Sequence, residues 1–118
     1  MQERTAMLEP WQSERTVPAD HPAFAGHFPG RPILPGVVLL DQAVLAAQQR
    51  FPAHRCRHID QSKFLQPVGP GTRLHICFQP RPGPTGGELG LAFDIVRAAD
   101  GSSVASGRLR LQALDPGR

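Results

Sequence analysis

The sequence lacks any run of about 20 apolar residues, the length that a membrane-spanning helix needs. Mean hydropathy is −0.27, and the polar residues 1–4 are not followed by the apolar core of a secretory signal. At 118 residues the chain is long enough for one core and too short for two. These absences predict a single cytoplasmic domain with no membrane span.

Cysteine is scarce, and histidine is not arranged for metal binding. Cys56 and Cys77 are too few for a disulfide framework and form no C-x-x-C pair. His21, His54, His58 and His75 show no ligand spacing. We therefore expect reduced thiols, no metal and no bound cofactor.

Lysine is almost absent: of the 13 lysine and arginine residues, Lys63 is the single lysine. The net charge is +3. No basic stripe interleaved with aromatic residues occurs, so the sequence does not predict nucleic-acid binding. The excess of arginine fits an acidic protein partner, and it fits ordinary solvated surface arginines equally well.

Proline and glycine are concentrated in residues 24–36, which contain three of each. Such a segment forms a tightly folded loop, because proline fixes φ and glycine frees it. Residues 37–49 contain neither, so a helix is predicted to begin at about Gly36 and to end before Phe51-Pro52. Its apolar residues run almost all the way round, which predicts a helix enclosed by other structure.

The remaining sequence alternates between strand patterns and turn-rich separators. Strands are predicted at residues 11–17, 58–65, 73–79, 88–97 and 103–111, with residues 1–10 as a leader and 112–118 as a flexible tail. Short separators predict antiparallel neighbours in chain order. The sequence therefore predicts one domain over residues 1–118. It belongs to the α+β class, with a curved antiparallel sheet that wraps one long helix.

The loop and the helix share a motif with a known family. The motif consists of His27-Phe28-Pro29-Gly30, then Pro32-Ile33-Leu34-Pro35-Gly36-Val37, and then Asp41, fourteen positions after the histidine. A second patch begins at Lys63-Phe64. Over about residues 14–112 the chain resembles the hotdog-fold 3-hydroxyacyl-acyl-carrier-protein dehydratases of bacterial fatty acid synthesis. Stand-alone dehydratases of aryl-polyene pathways are also similar.

The resemblance implies a hotdog dimer with two sites, each built from His27 of one subunit and Asp41 of the other. It implies an acyl substrate on the phosphopantetheine arm of acyl carrier protein, whose acidity would suit the basic surface. Some relatives work as heterodimers. The helix start and the adjoining positions are expected to line the substrate tunnel: Phe28, Pro35, Val37, Leu45 and Gln48.

Dehydration of a 3-hydroxyacyl thioester needs a base, an acid and a donor to the thioester oxygen. His27 titrates near neutrality and is predicted to be the base. Asp41 is predicted to be the acid, and the Gly36 N–H is the candidate oxyanion donor. Asp at position 41 resembles the branch that also isomerises its product, whereas the loop resembles the branch that only dehydrates.

Alternatives to catalysis exist for each of these residues. A histidine in a turn can be structural, and a helix aspartate can cap loop amides. The related dehydratases carry a glutamine four residues after the acid, where this chain has Leu45, and Gln48 lies on the same helical face as Asp41. Two other functions remain open: a hotdog acyl thioesterase, and a non-catalytic carrier-binding subunit of a heterodimer.

Overall fold

The computed structural model describes residues 8–20 and 33–114. His27 and Phe28 lie outside these ranges, as do the first seven residues and residues 115–118. The described elements are the following: β1 Trp11–Thr16, α1 Gly36–Arg50, β2 His54–Phe64, β3 Arg73–Pro82, β4 Glu88–Arg97 and β5 Ser103–Ala113.

The five strands form one antiparallel sheet in the order β1-β3-β4-β5-β2, and α1 packs on one face of it. Alternate residues of the central strands point towards the helix, as a period of two requires. Leu74, Ile76, Leu91, Ile95 and Leu109 are among the fully buried residues of the core. The predicted hotdog fold of the α+β class is confirmed.

Helix α1 begins directly after Pro35, whose extended backbone (ψ 143°) stops the helix from starting earlier. It ends at Arg50, and the N–H of Phe51 bonds to the Ala47 carbonyl. Three of its four buried residues are alanines, which allow close approach to the sheet. The prediction of an enclosed helix is wrong for the single chain, because Val37 and Leu45 are 62% and 52% exposed.

The order of the strands differs from the predicted meander. β2 pairs with β5 rather than with β3, so the short connection 65–72 is not a hairpin. It spans three strand spacings, about 14 Å, which eight extended residues cover easily. Connection length alone therefore does not decide which strands are neighbours.

Some element ends also differ from prediction. β2 begins at His54, four residues early, and β3 continues to Pro82. β5 runs to Ala113, two residues into the predicted tail, because Gln112 and Ala113 pair with Arg55 and His54. β4 has the predicted bounds, Glu88–Arg97.

Aromatic packing fixes β1 against the C-terminal end of α1. The Trp11 ring stacks on Phe78 with 4.3 Å between centroids, and it meets the edge of Phe51 at 5.3 Å. The Arg50 guanidinium lies 5.3 Å from the centre of the Trp11 ring. This cluster is formed at one end of the helix, and the candidate site lies at the other.

Candidate active site

The N-terminus of α1 is covered by an aromatic ring. A Cβ built on Gly36 would lie 2.7 Å from Cδ1 and Cε1 of Phe64. Only glycine lets the end of β2 approach the helix start this closely. The first amide groups of a helix have no partner within it, so such N–H groups can donate to a substrate oxygen.

An open groove of about 440 Å³ adjoins this helix start. Its walls come from residues 33–37, Leu39 and residues 64–67. Val37, Phe64 and Leu65 on its rim are all at least half exposed. The groove is lined mainly by apolar residues, and it borders both the helix start and the end of the edge strand β2.

Asp41 lies one turn into α1 and is exposed in the single chain. Val37, Asp41 and Leu45 are four residues apart, so they share one side of the helix. No hydrogen bond or ion pair between residues that the structure describes reaches the Asp41 carboxylate. The carboxylate is therefore set in an exposed apolar stripe.

Gln48 lies near the other end of α1. Its Nε2 donates to the carbonyl of His54 at 2.6 Å, and its Oε1 accepts from the N–H of Cys56 at 3.0 Å. Both ends of the amide thus bind the start of β2. The suggested tunnel role of Gln48 stays a prediction, whereas its role in joining helix to sheet is visible.

Strand β2 is an edge strand, paired only with β5 among the described elements. It has two irregularities, between Cys56 and His58 and between Asp60 and Lys63, and Gln61 has a φ of 53°. Ile59 faces the helix side, opposite Leu109, yet remains exposed. We use the term apolar patch for the exposed large apolar residues of α1, of β2 and of the position that follows β2: Val37, Leu45, Ile59, Phe64 and Leu65.

A cavity of similar size lies elsewhere. It measures about 470 Å³ and lies at the turn between β3 and β4, near His54, and therefore at the opposite end of β2 from Phe64. Oε2 of Glu88 on its wall is buried without a hydrogen-bond partner in the described chain. None of the predicted site residues that the structure describes lines this cavity.

Within the described ranges 8–20 and 33–114, no group of three or more His, Cys, Asp or Glu residues is arranged to hold a metal ion. None of their helices has the length and apolar character required to cross a bilayer.

The structure thus brings Pro35, Gly36 and Val37 together at the groove and places Asp41 and Leu45 further along the same side of α1. His27 and Phe28 lie outside the described residues, so their placement stays a prediction. Phe64 and Leu65 belong to the second sequence patch, which marked them as family-like but did not indicate their contact with Gly36. That contact follows from the crossing of β2 over the helix start.

A single helix packed on a five-stranded antiparallel sheet is the architecture of hotdog-fold proteins. The model of the ApeI-like family, described as ApeI dehydratase, matches residues 3–108. The chain belongs to this dehydratase family.

Curated relatives agree with this assignment. The chain is 33% identical over 123 residues to the 3-hydroxyacyl-(acyl-carrier-protein) dehydratase FabZ of Anaeromyxobacter sp., covering 87% of the chain and 73% of that protein. It is 39% identical over 72 residues to FabZ of Gluconacetobacter diazotrophicus, covering 52% of the chain and 45% of that protein. The matches thus span from about half to about three quarters of these relatives.

Solved structures show the same fold. An uncharacterised protein from Erwinia carotovora matches with a TM-score of 0.70 and 27% identity, covering 89% of this chain and 84% of that one. The dehydratase heterocomplex ApeI:P from Xenorhabdus doucetiae matches with a TM-score of 0.67 and 24% identity, and the match covers 89% of this chain and 88% of that one.

Proposed function

We propose that this protein dehydrates a 3-hydroxyacyl thioester to the trans-2-enoyl thioester. Membership of the dehydratase family and the FabZ relatives support this reaction. The observation that carries the proposal is the exposed Asp41 on the same helix side as Val37 and Leu45, one turn from the groove at Gly36. A carboxylate in such a position can act on a substrate only when a second surface encloses it.

That second surface is proposed to be another copy of the chain. The apolar patch comprises five large apolar side chains that are 43–62% exposed, and it adjoins the edge of β2 with which no described strand pairs. Exposed apolar side chains and unpaired strand edges are features that a subunit interface covers. The Gln48 side chain already bonds to the His54 carbonyl and the Cys56 N–H. A strand from a second subunit would therefore pair with the part of β2 that follows Cys56. A homodimer formed in this way gives each site a His27 from one subunit and an Asp41 from the other.

In the proposed reaction, His27 removes a proton from C2 of the substrate. The electron pair forms the C2–C3 double bond while the C3–O bond breaks, and Asp41 protonates the departing hydroxyl to give water. The Gly36 N–H stabilises the negative charge on the thioester oxygen during proton removal. No cofactor takes part, and the acyl chain arrives on the phosphopantetheine arm of acyl carrier protein in the cytoplasm.

The test is turnover of a 3-hydroxyacyl-carrier-protein substrate, followed by mass spectrometry, for the wild type, His27→Ala and Asp41→Asn. Loss of water in the wild type and no turnover in either variant is expected. The two inactive variants are then mixed and allowed to exchange subunits. Half of the dimers become mixed and each has one intact site of two, so a shared site restores about one quarter of wild-type activity.

Other outcomes of the same experiment reject parts of the proposal. No recovery on mixing, with subunit exchange verified, would contradict a shared site. Release of free acid would identify a thioesterase. A folded wild type without turnover would favour the second candidate, a non-catalytic subunit of a heterodimer, for which Leu45 in place of the family glutamine and the fold shared with the ApeI:P heterocomplex both argue.

A further inference from the structure

Residues 65–72, which we call the brace, join β2 to β3 and touch the chain on both sides of residues 21–32. Before that segment, the N–H of Val17 donates to Thr72 O and the Gly71 N–H donates to Val17 O, both at 2.9 Å. After it, the N–H of Leu34 donates to Val68 O at 2.7 Å. Val17, Leu34 and Val68 are all buried, so the Leu34–Val68 bond, which joins two buried residues, is shielded from water.

The brace is in turn held by one side chain from the end of β4. The Arg97 guanidinium donates to Oε1 of Gln66 at 3.3 Å and to the carbonyl of Pro67. Gln66 also joins the brace to β5, because its Nε2 donates to Ser103 O at 2.9 Å. A planar guanidinium can bind a side chain and a carbonyl at once, which an ammonium group does less well.

Arg97 itself is well fixed. Its N–H donates to Ser102 O at 2.9 Å, and its carbonyl accepts from the N–H of Gly101 at 2.8 Å. The carboxylate of Asp100 binds both the N–H and the hydroxyl of Ser102. The tight turn at the end of β4 therefore holds the guanidinium over Pro67.

We infer that Arg97 is a positioning residue for the site, acting through the brace on both ends of the segment that carries His27. Val68 lies one residue beyond the Arg97-bound carbonyl, and Leu34, its partner, precedes Pro35 and the helix start at Gly36. A shift of the brace would move the entry and exit of the His27 segment together. The catalytic part of this inference rests on the proposed function, whereas the structural part does not.

The test compares Arg97→Gln with Arg97→Lys and with the matched control Arg73→Gln. Arg73 is an exposed arginine that directly follows the brace at the start of the neighbouring strand. Its side chain pairs with Glu14 at 3.2 Å and makes no hydrogen bond to residues 65–72. Because small misplacements of reacting groups are costly, kcat of Arg97→Gln should fall about 10- to 100-fold, with KM changed far less. Arg97→Lys should recover part of the loss, and Arg73→Gln should match the wild type.

Hydrogen exchange gives a readout that does not depend on turnover. In Arg97→Gln the amides of Leu34 and Gly71 should exchange faster than in the wild type while those of the β4 interior do not change. Unchanged exchange in these amides, or the same acceleration in Arg73→Gln, would overturn the inference. If the wild type has no dehydratase activity, the proposed function fails, and the exchange experiment still decides whether Arg97 fixes the brace.

Discussion

The ring of Phe64 lies so close to Cα of Gly36 that no side chain fits between them. This contact joins the last residue of β2 to the first residue of α1. It makes the packing of the helix start depend on a residue 28 positions away in the sequence.

Gly36→Ala is predicted to displace either the Phe64 ring or the first helical turn. Overpacking of this kind costs about 1–3 kcal/mol of unfolding free energy, and the movement of the Gly36 N–H should also lower kcat. Thermal unfolding and turnover would be measured on the same preparation. Adding Phe64→Leu to Gly36→Ala should recover stability.

Gly90→Ala is the matched control, because the nearest atom to a Cβ there is the Arg81 carbonyl oxygen at an ordinary 3.7 Å. Its stability should change by less than about 0.5 kcal/mol, with full activity. Equal losses in the two glycine variants would mean that alanine is harmful for a reason other than the Phe64 contact.

Local features were predictable from the sequence where one short-range signal decides them. Pro35 excludes an earlier helix start, Phe51-Pro52 ends the helix, and alternation from Leu89 to Ile95 sets the bounds of β4. The spacing from Gly36 to Asp41 is local in the same sense, because it is a property of one helix, whereas the placement of His27 stays a prediction.

Non-local features were not predictable. β2 pairs with β5 and not with β3, and the length of the connection between β2 and β3 permits either arrangement. An apolar residue such as Leu45 has the same hydrophobicity whether its own sheet or another subunit covers it. The roles of Gln48 and Arg97 depend on backbone groups that only the folded chain brings to them.

Gln48→Leu is predicted to destabilise the protein. The substitution keeps the volume but leaves the His54 carbonyl and the Cys56 N–H without their partner, which costs about 1–3 kcal/mol. The fluorescence of Trp11, the single tryptophan, reports unfolding in urea at a fixed protein concentration. Gln49→Leu is the control, since Gln49 makes one exposed bond to Arg15, and a similar loss in both variants would refute the prediction.

Leu45→Arg is predicted to prevent formation of the proposed homodimer without unfolding the chain. Leu45 is 52% exposed in the single chain, so the folded subunit accommodates a charge there, whereas an apolar interface does not. Light scattering after gel filtration should show a monomer with native circular dichroism and no turnover. Leu114→Arg, an exposed leucine outside the apolar patch, should remain dimeric, and a dimeric Leu45→Arg would place the interface elsewhere.

The two thiols are predicted to react slowly and to make stability fall at high pH. Burial raises the pKa of the Cys56 thiol, and burial followed by the nearby Asp94 charge raises the pKa of the Cys77 thiol. The folded chain therefore keeps its thiol protons to higher pH than the unfolded chain. Above about pH 9 the unfolded chain binds fewer protons, so the free energy of unfolding should decrease as pH rises.

Alkylation by iodoacetamide at pH 8 should be slower in the folded protein than in urea, because the thiolate is the reactive form. Cys56→Ser and Cys77→Ser each leave one thiol, so the two rates can be measured separately. Each variant should also lose part of the decrease in stability between pH 9 and pH 10.5. A thiol that reacts as fast in the folded protein as in urea would show that burial does not protect it, and an unaltered pH dependence in both variants would assign the decrease to other groups.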